Sequence, residues 1–276
     1  MEIEKYNKYG QELEELYRLR SIPFAVKFYE KAADVPENAV FPKRDLKKHM
    51  ALCQAWAYTR MKGMTIAMTK EDHWCWNPLI AFGAVECVPG QPQFDQVVKI
   101  LGINDPQKAA DFFVKFPRFP LGKYEAVVSA PLKDCTFEPD VILIYAEAGK
   151  INHMLRCIKS VTGDVTHSVF DGIDSCIYAT LPSIMENAYR VTFPDPGDRE
   201  RARARDDEVI LSVPGGRMEE FMTGVEGLCK YMPFNDRLME FALDFPHPPF
   251  YNNLFEIWGL DSTGEEWDFE TPDHLK

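Results

Sequence analysis

The chain has 276 residues, with 31 Lys plus Arg against 43 Asp plus Glu, a net charge of −12 and a pI near 5.0. That length supports a core without disulfide or metal staples, and the acidic balance argues against nucleic acid or an anionic membrane as partner. The longest apolar run, at 141–146, is too short to cross a bilayer. The start, Met1-Glu2-Ile3-Glu4-Lys5, lacks the apolar stretch of a secretion signal, so a cytoplasmic protein is expected.

Apolar residues at Tyr6, Tyr9, Leu13, Leu16 and Tyr17 predict a helix over 4–19. A strand follows at 22–28, with Pro23 at its start. The polar stretch 34–45 is read as a loop and 46–60 as a helix carrying Cys53 and Trp56. A short buried strand at 64–68 leads through a loop at 69–77 into a helix opened by Pro78. Two helices are expected at 94–102 and 106–115, and the clearest strands at 124–130 and 141–145. A helix over 151–161 comes next, then a helix at 176–186 that Pro182 kinks or shortens. Strands at 189–193 and 209–213 and a helix at 217–231 complete the body.

Strands this continuously apolar belong to sheets covered on both faces. The expected fold is therefore α/β, a mixed sheet covered by helices, forming one compact unit over 1–240. The remaining segment, 241–276, is an aromatic extension (Phe245, Phe250, Tyr251, Phe255, Trp258) expected to pack on the body or clamp a neighbouring subunit, and a homo-oligomer is the expected state.

Seven cysteines form no C-x-x-C pair, so a disulfide framework is not expected. The stretch Lys70 to Pro78 lies between a strand and a helix, where α/β proteins bind ligands. With Asn77 as cap and Pro78 after it, Cys75 stands at a helix amino end, which favours thiolate. Asp72, His73 and Cys75 bring carboxylate, imidazole and thiol within four residues, and Trp74 and Trp76 can stack on a flat ligand. Around 170–176, Asp174 or Ser175 caps a further helix and leaves Cys176 in its first turn. Cys53 falls mid-helix, where packing is the default role. Pro214-Gly215-Gly216-Arg217 matches neither a Walker loop nor a dinucleotide fingerprint and is read as a plain strand-to-helix turn. The alternation of Arg and Ala from Arg199 is read as a solvated face, with Arg199 and Arg201 able to meet an acidic substrate.

Several phrases in order carry a resemblance: Ile22 to Phe28, Cys53-Gln54-Ala55, Cys75 before Pro78, Lys123 to Leu132, Phe137 to Val141, and Asp207 to Ile210 with Val213-Pro214-Gly215. On these the chain resembles an uncharacterised family of archaeal and anaerobic bacterial proteins, domain of unknown function 169, over roughly residues 20–230. The resemblance implies a cytoplasmic protein of anaerobic metabolism and cysteines recurring at the positions of Cys53, Cys75 and Cys176.

Those three thiols define the expected site of an enzyme acting on a small organic molecule, aromatic ones included. In one version they ligate zinc or an iron–sulfur cluster. In the other Cys75 is nucleophile or acid–base thiol, His73 carries the proton, Asp72 orients it and Asp174 is a further acid–base group. Trp74, Trp76 and Arg199 would bind substrate. A non-catalytic cofactor- or ligand-binding protein and an accessory subunit of a metabolic complex are the alternatives.

Overall fold

The computed structural model describes residues 2–232, 234 and 250–261. In chain order the elements are α1 (Ile3–Tyr17), β1 (Phe24–Tyr29), α2 (Pro42–Leu46), α3 (Leu52–Lys62), β2 (Ile66–Thr69), α4 (Trp76–Ala81), α5 (Pro92–Ile100) and α6 (Pro106–Lys115). The second half adds β3 (Ala126–Pro131), β4 (Val141–Glu147), α7 (Ala148–Thr162), α8 (Ser175–Tyr178), α9 (Leu181–Glu186), β5 (Arg190–Thr192), α10 (Pro196–Ala202), β6 (Glu208–Pro214), α11 (Met218–Tyr231) and α12 (Phe250–Trp258).

The strands form one sheet in the order β2-β3-β1-β4-β6-β5. Every pairing between them is antiparallel, and among the described residues parallel contacts are confined to two isolated bridges, Val40 with Ile66 and Met50 with His73. The period-2 alternation of a strand divides its side chains between two cores. Along β4, Val141, Leu143 and Tyr145 face α3 to α6, α8 and α9, whereas Ile142, Ile144 and Ala146 face α1, α7 and α11. Helices on both faces explain why these antiparallel strands read as continuous apolar runs.

Three local features depart from the sequence expectation. A short helix, α2, ends the stretch read as a loop, opened by Pro42 in its first turn. The helix expected at 176–186 is two, because Pro182 stands in the first turn of α9 and breaks the chain from α8. The stretch read as a solvated face contains α10, whose Ala202 is buried. Most of the aromatic extension, and its boundary near 240, lies outside the described residues; no residue of α12 is buried.

Helices α7 and α11 touch backbone to backbone at Gly224, where a Cβ would stand 2.2 Å from the Cys157 carbonyl oxygen. Gly224→Ala is expected to cost about 1–2 kcal/mol in urea unfolding, since the steric penalty exceeds alanine's helix-propensity gain of about 1 kcal/mol. A variant as stable as the parent would show that the two helices separate without penalty.

Candidate functional site

Three loop-to-helix starts converge over α3. Helix α4 starts one residue before Asn77, so Cys75 itself is the cap residue and Asn77 is freed from capping. Asn77 is buried and bridges two segments: the Cys75 thiol donates to its Oδ1 at 3.3 Å, and its Nδ2 donates to Asp174 Oδ1. Asp174 caps α8 by backbone alone. It is held at φ 64°, left-handed backbone that a non-glycine residue seldom adopts, and is 4% exposed.

The third start is that of α10. Asp195 Oδ1 accepts from the Asp198 backbone N–H at 2.9 Å, and its Oδ2 accepts from the Ser175 N–H at 3.0 Å, so one carboxylate caps α10 and also satisfies α8. Asp198 is fully buried and accepts from Ser175 Oγ and, at 3.1 Å, from Tyr145 OH. The counter-charge is Arg60, 2% exposed, lying 4.4 Å over the Tyr145 ring. It donates to the Ala202 carbonyl at 2.8 Å and stands 3.9 Å from Glu208.

Burying carboxyls with few cations favours their neutral form. Burial, with Asp171 and Asp195 adding to it, pushes Asp174 up to about 7. Burial and Asp195 raise Asp198 to about 6. The thiols move the same way. Burial and the acids Asp198 and Asp195 push Cys53 up to about 12, and Cys176 rises well above the ordinary thiol range by burial, Asp195 and its thiol neighbours Cys75 and Cys53.

Cys75, half-buried, is also raised by burial; the Asn77 backbone N–H pulls the other way and does not win. The helix start is thus present as expected, but burial outweighs its pull toward thiolate. Cys53, Cys75 and Cys176 therefore share one neighbourhood as protonated thiols. Among the described residues, no three His, Cys, Asp or Glu side chains stand together as a metal's ligands.

The other expected site residues separate. Asp72 is committed to its loop, accepting from Thr69 N at 2.9 Å, Thr69 Oγ1 at 2.7 Å and Lys43 N at 2.8 Å. His73 lines a small cavity with Phe28, Met68, Pro78 and Phe82. Its Nδ1 finds no partner among the described residues, and burial lowers it to about 4. The spacing of Asp72, His73 and Cys75 therefore produces no relay, because the chain turns each onto a different neighbour.

Trp76 packs inward toward Phe113, with 6.4 Å between ring centroids. Trp74 is 48% exposed, donates to Gln54 Oε1 at 3.2 Å and carries the Arg201 guanidinium 5.1 Å over its ring. Of the two arginines expected to meet an acidic substrate, both exposed, Arg201 is the one that stands beside Trp74 and Cys75. Sequence reasoning missed Asp195 and Asp198, although Asp195-Pro196 with Asp198 in the first turn is a helix-start signature.

A family model described as DUF169, uncharacterised ArCR, matches residues 12–224, and the chain belongs to that family. It is similar to the uncharacterised protein MJ0308 of Methanocaldococcus jannaschii, 23% identical over 228 residues that span 82% of this chain and 96% of that protein. No solved structure matches the chain. No helix among the described residues is long and apolar enough to cross a membrane.

Proposed function

We propose that the chain is an enzyme that moves protons on a small organic molecule at Asp174 and Cys75, with Asn77 holding the two in register. The observation that carries this reading is the wiring: a buried carboxyl in left-handed backbone, pushed to about 7, joined through one amide to the half-buried thiol. A general acid–base group works best when its pKa lies near the working pH, and carboxyls reach that range where burial and like charges act together. Substrate reaches Cys75 past Trp74 and Arg201, which offer a flat apolar face and a cation. Asp198, Ser175 and Tyr145 form the buried support that fixes α8 beneath it.

The test reads Cys75 directly. Its alkylation by iodoacetamide, followed by peptide mass spectrometry between pH 5.5 and 9, is expected to bend near pH 7 as Asp174 ionises and holds the thiol proton more tightly. In Asp174→Asn the bend disappears and Cys75 reacts about three- to tenfold faster at pH 8, one pKa unit being tenfold. Superimposable curves for the two proteins would defeat the reading.

A further inference from the structure

A cleft of about 600 Å³ opens at the end of α8, bordered by Tyr178, the end of α6, the segment 167–169, α9 and β5. That volume lies within the range of about 300–1,000 Å³ usual for small-molecule sites. Its walls are apolar, formed by Phe112, Val169 and Tyr178, and its charged members are Lys115, Arg190 and Glu186. Glu186 is ion-paired to Arg190, whose Nη1 also donates to the His167 carbonyl oxygen at 2.8 Å. The one acid of the lining is therefore already neutralised, and among the described residues Lys115 has no ion-pair partner. A local positive excess on a chain of net charge −12 is a departure from the background field that attracts anions. Beside the cleft, Val169 and Phe170 are 72% and 53% exposed, an apolar surface kept in water.

We propose that this cleft binds a small organic anion, a carboxylate or sulfonate on an apolar, ring-sized body, with Lys115 taking the charge and Phe112, Tyr178 and Val169 taking the body. Through Tyr178 the cleft is also linked to the buried acids. Tyr178 closes α8, the helix that begins directly after Asp174, and its phenol is pushed up to about 12 by burial and by Asp171 and Asp174. A ligand on the Tyr178 ring therefore stands one side chain away from Asp174. The ligand assignment stands by itself; only this coupling to Asp174 rests on the acid–base reading.

The experiment uses the full chain and 2-naphthoate as probe, with neutral 2-naphthamide as its match in shape, in equilibrium dialysis. The naphthoate is expected to bind at one site per chain, about tenfold or more tighter than the amide. Lys115→Glu and Val169→Asp, both at exposed positions of the lining, are each expected to weaken naphthoate about tenfold while thermal unfolding stays unchanged. Equal binding of naphthoate and naphthamide, or two variants that bind like the parent, would overturn the assignment. With naphthoate saturating, Cys75 alkylation at pH 8 is expected to change in the parent and not in Asp174→Asn. Should the parent and Asp174→Asn already alkylate alike without probe, the acid–base reading falls and the dialysis result still decides the cleft.

Discussion

Replacing Asp174 by asparagine is expected to stabilise the folded chain by about 2–4 kcal/mol at pH 8 and by only about 1 kcal/mol at pH 5. Asp174 holds its proton to about 7 in the folded state, against an ordinary value of 3.8. Between those values the folded chain binds more protons than the unfolded one, so stability falls as pH rises. The cost is absent below the ordinary value, grows through the window and is complete above about pH 7. Asparagine removes the ionisation, keeps an oxygen for the Asn77 amide and is at ease in left-handed backbone. Urea unfolding of both proteins at the two pH values checks it; a pH-independent difference would mean that the carboxyl is not raised. Asp198, raised to about 6, adds a slope of the same sign ending lower in pH.

Arg60→Ala is expected to lower stability by about 3–5 kcal/mol at pH 7, the loss typical when one partner of a buried charge pair is removed. The guanidinium serves three acceptor groups at once: the Ala202 carbonyl that ends α10, the Glu208 carboxylate and the electron-rich face of Tyr145. Tyr145 in turn donates to Asp198, so losing the guanidinium takes the buried cation away from both Glu208 and Asp198 and leaves Glu208 only the exposed Arg20 beyond it. Arg60→Lys restores the charge without the planar fork and is expected to recover only part of the loss. A loss below about 1 kcal/mol in chemical denaturation would show that the acids are neutralised elsewhere.

The six strands and most helices are legible in the sequence because each carries its own period. Pro182 announces the break between α8 and α9, and Gly63 and Gly163 mark helix ends that take left-handed backbone. Strand direction is not legible: no tight hairpin turn joins neighbouring strands here, and continuous apolarity reports only that both faces are covered. Helix α10 was hidden because its buried apolar surface is little more than Ala202, so it has no stripe to detect.

At the site, cap positions single out Cys75 and Cys176, and the family resemblance adds Cys53; that the three thiols share one neighbourhood is not legible in the sequence. The meeting of residues 171–174 with 195–198 depends on tertiary packing, and no local spacing encodes it. The same packing explains why Asp72 and His73, neighbours of Cys75 in sequence, have different partners in the fold.

Strand β1 stands third of six in the sheet, between β3 and β4, although it is the first strand made. Among the described residues, the one ladder of strand β2 is with β3, beside a single bridge to Val40. No ladder can therefore form until residue 126 and beyond leave the ribosome, which at about 5–20 residues per second leaves two apolar strands unpaired for several seconds. During synthesis the nascent chain carries both edges of β1 and the inner edge of β2 without ladder partners, edges that β3 and β4 cover in the finished sheet and that can meanwhile template pairing with another chain.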